Sequence, residues 1–374
     1  MVKIPFFNLL GRFRMKDFTT QFPITSEYIY LNTASCGLLS KPLVDWRHEH
    51  DLQLMQGGSM FRDLHKPHIR KIRKAVGDFF STSESNVALV PNFSFGLNSV
   101  LDGIPTNQKV LLLKGDYPSI AWPVERRGFE VCYAEINENL EQNIAEAMKE
   151  HQPDVFAFSV VQYISGVFID LEFLKELKAT YPNVLLIADG TQFLGTQNFN
   201  FETSAIDVIG GSNYKWMLSG YGNAVFMVKK AAQDRITPRT IGFNSADASF
   251  SKKNDIEFVG FLEPGHQDTL NYGSLERSIQ FLNELGNDAI ESHLHNLKKK
   301  AKAAFESLGL LDEMVVNRKE HSTIFNVKGD AVLFQKLKEN GIICSLRGHG
   351  IRVSFHIYNT EEDLQKLIEV LKRN

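Results

Sequence analysis

Two charged residues, Asp189 and Lys215, follow two apolar runs of the sequence. Asp189 ends the run VLLIAD, and Lys215 comes shortly after the run IDVIGGS. Both runs predict short strands that are buried on both faces, as in a parallel sheet. Ligands of open α/β sheets bind beyond the carboxyl ends of the strands. We therefore expect the carboxylate and the amine to face one pocket.

An amine and a carboxylate in one pocket suit pyridoxal 5'-phosphate. This cofactor forms an imine with a lysine, and it needs a carboxylate against its pyridine nitrogen so that the ring stays an electron sink. Asp189 and Lys215 are 26 positions apart, which leaves room for a loop, a helix and a strand. The plain alternative is a strand-end aspartate and an unrelated surface lysine. The motifs around both residues favour the cofactor site.

A third motif is the turn NFSFG at residues 92–96, which follows the strand-like run NVALV. It places backbone N–H groups and the hydroxyl of Ser94 at the start of a predicted helix. Such a helix start is a natural cradle for a phosphate group. A serine that caps a helix without any ligand is the plain alternative.

These motifs resemble those of the class V aminotransferases of fold type I, the group that includes cysteine desulfurases, kynureninase and isopenicillin N epimerase. ADGTQ resembles the family's strand-end Asp-Gly-x-Gln, and GGSNYK resembles its Ser-x-His/Tyr-Lys motif. The resemblance covers residues 30–358 and implies an α/β fold. A large domain would hold a mainly parallel sheet of the seven-stranded type, beside a small α+β domain.

The resemblance also implies domain boundaries. Residues 1–30 would be an N-terminal segment that joins the small domain. Residues 31–270 would form the large domain that binds pyridoxal phosphate, and residues 271–374 the small C-terminal domain.

A set of site residues follows from the same resemblance. Lys215 is the implied catalytic residue, first as the imine partner and then as a base. Arg352 is implied to bind the substrate carboxylate, since a guanidinium group holds a carboxylate with two parallel hydrogen bonds. Asn32 and Ala34 are implied to line the substrate entrance. The implied cofactor-binding residues are Ser94, Phe95, Tyr117, Gln162, Tyr163, Asp189, Gln192, Ser212, Tyr214, Lys215 and His266.

Several of these residues are implied to hold the cofactor phosphate. Ser94 and the amide of Phe95 would contact it at the helix start, and Ser212 and Tyr214 from the strand side. His266, in the loop EPGH, would reach across the interface of a homodimer to the phosphate in the partner subunit.

The remaining cofactor residues are implied to surround the ring. Tyr117 would stack on the pyridine face, where a flat ring excludes water. Gln192 would reach the phenolic oxygen, with Gln162 and Tyr163 near the same oxygen. Desulfurases have an asparagine where this chain has Tyr163, which speaks against desulfurase chemistry.

Composition excludes several classes of function. A net charge of −3 does not favour nucleic acid or an acidic membrane as a partner. No run of 18 apolar residues exists, so no membrane span is expected. Cys36, Cys132 and Cys344 make neither a metal spacing nor a disulfide framework, so we expect no metal. A reducing cytoplasm is the predicted location.

Two further expectations concern the chain as a whole. Its 28 phenylalanines exceed an ordinary count, and we assign them to the core and to a homodimer interface. The N-terminal sequence lacks the cleavage site of a signal peptide. Because Met15 is a second plausible start, we expect residues 1–14 to be an ill-ordered extension.

The reaction is less determined than the cofactor, because transamination, elimination and racemisation all begin with loss of the α-proton. Desulfurases need a nucleophilic cysteine on a loop before the carboxylate-binding arginine. The segment CSLRGHGIR has only Cys344, in an apparent strand. We therefore predict an aminotransferase that acts on a small amino acid. A desulfurase or selenocysteine lyase, an epimerase, and a non-catalytic binding protein with the same fold stay open as alternatives.

Overall fold

The computed structural model describes residues 19–65, 67–246 and 249–372. The prediction for residues 1–14 lies outside these described residues. The strands, in chain order, are β1 Ile29–Tyr30, β2 Val87–Val90, β3 Lys109–Lys114, β4 Glu130–Glu135, β5 Val155–Ser159, β6 Leu185–Asp189, β7 Val208–Ser212, β8 Ala224–Val228, β9 Ile324–Lys328, β10 Ile342–Ile343, β11 Ser345–Arg347 and β12 Gly350–Ser354.

Helices connect and cover these strands. In chain order they are α1 Lys41–Gly57, α2 Ser59–His65, α3 His68–Phe80, α4 Phe93–Leu101, α5 Pro118–Arg126, α6 Leu140–His151, α7 Leu171–Thr180, α8 Lys230–Gln233, α9 Phe258–Leu262, α10 Thr269–Leu285, α11 Asn287–Ser307, α12 Glu313–Val316, α13 Ala331–Glu339 and α14 Glu361–Lys372.

A sheet of seven strands forms the centre of the fold, in the order β2-β8-β7-β6-β5-β3-β4. Strands β3 to β7 pair in parallel, and β8 runs antiparallel to both of its neighbours. Every residue of β5, β6 and β8 is buried. Such continuous apolar strands form because helices cover both faces of a parallel sheet. The predicted α/β fold with a mainly parallel seven-stranded sheet is confirmed.

The register of this sheet brings the predicted motifs to one edge. Ser159 pairs with Asp189 at the ends of β5 and β6. Ser212 at the end of β7 pairs with Ala224, which in turn pairs with Val90 at the end of β2. The NFSFG turn that follows β2 therefore starts its helix, α4, at the same edge.

A second group of elements lies beside the large sheet. Strands β11, β12 and β9 form an antiparallel sheet, and β1 pairs in parallel with β10. A further bridge joins Asn32 to Ser354. The chain that follows β1 is thus attached to the C-terminal strands that carry Arg352. Helix α10 begins at Thr269 and packs against α1 and α3. The domain boundaries remain a prediction.

Candidate active site

Lys215 and Asp189 lie at the carboxyl ends of the parallel strands, as the register indicates. Asp189 ends β6 and is 5% exposed, while Lys215 follows β7 in a turn and is 7% exposed. The amine nitrogen of Lys215 is 5.9 Å from the ring centre of Tyr117 and 5.5 Å from that of Tyr214. An apolar enclosure of this kind suits an amine that must be uncharged to react.

The turn that carries Lys215 rests on the segment after β1. The amide of Gly37 donates a hydrogen bond of 2.9 Å to the carbonyl of Tyr214. A side-chain carbon at Gly37 would lie 2.0 Å from the carbonyl oxygen of Lys215, so the approach requires glycine. The segment after β1 thereby supports the turn that carries Lys215.

Burial dominates the electrostatics of this pair. The pKa of Lys215 is lowered to about 8, mainly by burial and also by the charges of Arg352 and Arg347, while the charge of Asp189 acts in the opposite direction. Burial also raises the pKa of Asp189 to about 6, against the hydrogen bond from Thr191 and the charge of Lys215. With this pKa the carboxylate is still mostly ionised at neutral pH, as its predicted task of keeping a pyridine nitrogen protonated requires.

Hydroxyl groups gather where α4 begins. The amide of Phe93 donates to the hydroxyl of Ser212 at 3.0 Å, and the hydroxyl of Ser94 donates to that of Ser119 at 2.9 Å. Thr191 accepts a hydrogen bond of 3.1 Å from the amide of Ser212. This cluster of donors at a helix start fits a phosphate group.

The backbone amide of Phe95, which the sequence predicts to contact the phosphate, already has a partner at the start of α4. It donates a hydrogen bond of 2.9 Å to the side chain of Asn92, which caps α4. A phosphate that uses the Phe95 amide must share or replace that bond. The side chain of Phe95 is 40% exposed.

Gln192 links three parts of the site. Its side-chain nitrogen donates to the carbonyl of Ala34 at 2.9 Å, and its oxygen accepts from the indole of Trp216 at 2.7 Å. A primary amide has two N–H groups, so one of them is left for a ligand. Gln192 therefore orders the entrance segment as well as facing the pocket.

Gln162 and Tyr163 contribute in different ways. The side-chain oxygen of Gln162 accepts from the amides of Ile164 and Ser165, both at 2.7 Å, and so shapes the turn after β5. The ring of Tyr163 lies 5.0 Å from that of Tyr117, edge to face.

Asp116 is a site residue that the sequence did not single out. It is buried, and its carboxylate accepts from the amides of Tyr117 and Ser159, each at 2.7 Å. It thereby fixes the residue that packs near Lys215. Its charge also raises the pKa of Asp189. The acid directly before the Tyr-Pro helix start in GDYPS was the available signal.

Arg352 is a buried cation, 2% exposed, on the central strand of the small antiparallel sheet. One terminal nitrogen donates to the carbonyl of Tyr163 at 2.7 Å, and the Nε atom has no partner. Burial, with a smaller contribution from the charge of Arg347, lowers its pKa to about 10. In the described part of the chain no carboxylate pairs with Arg352. A buried guanidinium without a counter-ion fits an anionic ligand.

The predicted entrance residues attach to the strands around Arg352. The side-chain oxygen of Asn32 accepts from the hydroxyl of Ser345 at 2.6 Å, and the amide of Ala34 donates to the hydroxyl of Ser354 at 3.0 Å. The entrance segment therefore lies between the lysine turn and the strand of Arg352.

His266 lies apart from this cluster. It is exposed, and its ring centre is 5.4 Å from that of Phe243, which is also exposed. Within residues 19–65, 67–246 and 249–372, no hydrogen bond joins His266 to the residues around Lys215. Nearby Glu263 is buried against Arg73 and the amide of Leu89, which anchors the loop.

The sequence profile described as aminotransferase class-V matches residues 49–367. The chain belongs to this family. Membership confirms the resemblance, fold type I, and pyridoxal 5'-phosphate as the cofactor. The chain is thus an enzyme of the class V pyridoxal-phosphate family.

Relatives of this class V enzyme have different names. It is 23% identical to a probable cysteine desulfurase of Pyrococcus abyssi (strain GE5 / Orsay), over 96% of each chain. It is 21% identical to the uncharacterized aminotransferase YcbU of Bacillus subtilis (strain 168), over 93% of this chain and 95% of the relative.

Solved structures share the fold. The apo cysteine desulfurase of Thermococcus onnurineus NA1 superposes with a TM-score of 0.84 at 20% identity, over 100% of this chain and 98% of the other. The cystine C–S lyase C-DES, in complex with its product cysteine persulfide, gives 0.81 at 17% identity, over 94% and 99%.

Two features are absent from the described residues. None of their helices is both long and apolar enough to cross a membrane. The same residues contain no group of three or more His, Cys, Asp or Glu side chains that could hold a metal ion.

Proposed function

We propose that this class V enzyme is an aminotransferase that acts on a small amino acid. The observation that carries the choice is the hairpin of β11 and β12, which leads to Arg352 and has no cysteine between Ser345 and Ser354. Cys344 precedes it, and burial raises the pKa of its thiol to about 12. Such a thiol is protonated at neutral pH and is a poor sulfur acceptor.

Desulfurase chemistry is the second candidate. The relatives and structures named cysteine desulfurase favour it. The thiol of Cys132 also speaks against it. Cys132 lies on the edge strand β4, and burial raises its pKa. Cys36 lies in the entrance segment, where its thiol contacts the carbonyl of Gly37 at 3.3 Å.

The chain's residues fit the cofactor group by group. The hydroxyls of Ser94, Ser119 and Ser212 suit the phosphate at the start of α4. Asp189 suits the pyridine nitrogen, and Lys215 is the amine that carries the cofactor. When bound, pyridoxal phosphate withdraws electrons from the α-carbon of the substrate.

Each remaining residue has a task toward the substrate. The Nζ atom of Lys215, uncharged above a pKa of about 8, would remove the α-proton and hold it for delivery to the carbon of the cofactor that takes the amino group. Arg352 holds the carboxylate of the amino acid and so fixes which bond of the α-carbon faces Lys215. Gln192 offers its spare N–H group, while Tyr117 and Tyr163 exclude water. Gln162 acts through the turn that it shapes.

Two experiments test this proposal. Borohydride reduction of the holoenzyme and peptide mapping should find the cofactor on Lys215, and a label on another lysine would refute that assignment. The holoenzyme, given an amino acid and a 2-oxo acid, should form the new amino acid and 2-oxo acid in equal amounts. If cysteine together with a thiol reductant instead yields alanine and sulfide in many turnovers, the desulfurase is correct.

We also propose a homodimer in the cytoplasm, with His266 directed to the phosphate in the partner subunit. Support comes from four exposed apolar side chains on neighbouring helices α1 and α2. They are Leu54, Met55, Met60 and Leu64. Exposed apolar groups clustered on one surface are typical of a subunit interface.

A further inference from the structure

Arg347 shares a strand face with Arg352. In the antiparallel pairing of β11 and β12, Ser345 lies opposite Arg352, and Arg347 lies opposite Gly350. Alternate residues of a strand point to the same face, and so do residues that lie directly opposite. Arg347 and Arg352 are therefore diagonal neighbours, about 7–8 Å apart.

This face is turned toward the pocket of Lys215. Ser345, which belongs to it, donates its hydroxyl to Asn32 in the entrance segment. The same segment supports the lysine turn through Gly37. The positive charges of Arg347 and Arg352 both lower the pKa of Lys215, which agrees with this placement.

The side chain of Arg347 is exposed at the end of the hairpin. Its cross-strand partner Gly350 has no side chain, and the space above Gly350 holds the side chain of Asn326, which donates a hydrogen bond of 2.8 Å to the carbonyl of Arg347. Gly348, with φ at 65°, turns the chain so that Arg347 lies at the tip of the hairpin. Arg347 is exposed whereas Arg352 is buried, so the two cations lie at the mouth and in the depth of one site.

Neither arginine has an acidic partner. Three other poorly exposed cations of the protein do have one, in the pairs Arg73–Glu263, Lys178–Asp207 and Arg318–Glu141. Neither Arg347 nor Arg352 forms an ion pair with any residue that the structure describes. The two buried carboxylates of the site, Asp116 and Asp189, accept backbone amides instead, so both guanidinium groups can bind anionic groups of a ligand.

We propose that the substrate is a dicarboxylic amino acid, with its α-carboxylate on Arg352 and its side-chain carboxylate on Arg347. This inference rests on the proposed amino-acid chemistry at Lys215. Arg347 would decide specificity, because a guanidinium group that faces a neutral side chain gains nothing from it. The buried Arg352 would bind every amino acid, whatever its side chain.

Spectral titration of the holoenzyme tests the proposal by binding alone. The ligands are L-aspartate and L-glutamate, their neutral isosteres L-asparagine and L-glutamine, and L-alanine. Of aspartate and glutamate, the one that binds more tightly should bind about 10-fold more tightly than its own amide. A difference of this size is expected for a charge-assisted contact that is partly exposed to water. Raising the salt concentration should reduce this preference.

Variants assign the preference to one residue. Arg347→Gln should weaken binding of the acid about 10-fold and leave alanine within about 2-fold. Arg347→Lys should keep part of the preference, which excludes misfolding as the cause. Lys338→Gln, which removes an exposed cation from α13, is the matched control and should change neither ligand.

Each contrary result has its own meaning. If alanine binds as tightly as both acids, the dicarboxylate assignment is wrong, and the proposed function still stands. The same holds if Arg347→Gln weakens the binding of alanine and of aspartate equally. If no amino acid changes the spectrum of the loaded protein, the proposed function fails, and this inference fails with it.

Discussion

At the scale of single residues, the burial and the hydrogen-bond partners of Arg352 indicate its role. It lies on a central strand, it is buried, and its only hydrogen bond to a described residue goes to the carbonyl of Tyr163. A buried charge is costly unless it is paired, so an unpaired one signals a missing ligand. The sequence predicted its role from a motif, and the structure adds this physical reason.

Loss of Arg352 should affect substrate capture and spare the cofactor. Arg352→Ala should lower kcat/KM for amino acids by about 30- to 1000-fold, since a charge-assisted contact contributes roughly 2–4 kcal/mol. Arg352→Lys should recover little, because an ammonium group cannot make the paired contact. The absorbance of the bound cofactor should not change. Amines without a carboxylate are the control, and equal losses for both substrate types would make Arg352 structural.

Lys215 should make stability depend on pH in the cofactor-free protein. Its pKa is about 8 in the folded chain and 10.5 in the unfolded chain, so the unfolded chain binds more protons between these values. The folded wild type should therefore gain stability, relative to Lys215→Met, as pH rises from 8 to 10.5, by at most about 3 kcal/mol.

Urea unfolding of both cofactor-free proteins at several pH values measures this difference. Lys338→Met is the control for removing one positive charge from an exposed position. A difference between wild type and Lys215→Met that stays flat across the window would mean that Lys215 is not buried as described.

At the scale of elements, the start of α4 combines a structural cap with a proposed phosphate site. Asn92 accepts the amide hydrogen of Phe95, although the sequence assigns that amide to phosphate. Both roles are compatible if the phosphate takes the place of the cap. The side chain of Asn92 would then hold the helix start in order until the cofactor binds.

Removing the cap should be partly repaired by the cofactor. Asn92→Ala should cost about 1 kcal/mol of unfolding free energy without cofactor, as N-cap substitutions do. Asp330→Ala is the matched control, because Asp330 caps α13 through the amides of Val332 and Leu333. Pyridoxal phosphate should raise the melting temperature of Asn92→Ala more than that of Asp330→Ala. Equal increases would show that phosphate does not use the Phe95 amide.

Sequence patterns predicted the strands because their apolar runs are local, and Asp189 and Lys215 because they follow such runs directly. Contacts between distant segments were not predictable in this way. Asp116 binds the amide of Ser159, and Gln192 joins Ala34 to Trp216. Each contact depends on the order of strands in the sheet, which no local pattern encodes.

For the whole molecule, the exposed apolar groups on α1 and α2 imply a partner. The protein with cofactor should therefore have about twice the chain mass of 42.4 kDa in light scattering. The double variant Met60→Glu, Leu64→Glu should shift this equilibrium toward monomer, because buried like charges repel. Val332→Glu, at a position of similar exposure on α13, is the control. A wild type that is monomeric and fully active would exclude the homodimer.

The parallel pairing of β1 with β10 has a consequence for synthesis of the chain. Ile29 cannot form its strand pair until Ile342 has been synthesised. At about 5–20 residues per second, a ribosome needs roughly 15–60 s to make the chain between them. Once Lys215 has been made, the nascent protein has the residues of the lysine turn but still lacks the strands that place Arg352. A chain that is truncated or stalled before β12 therefore has Lys215 and Asp189 but cannot bind a substrate carboxylate through Arg352.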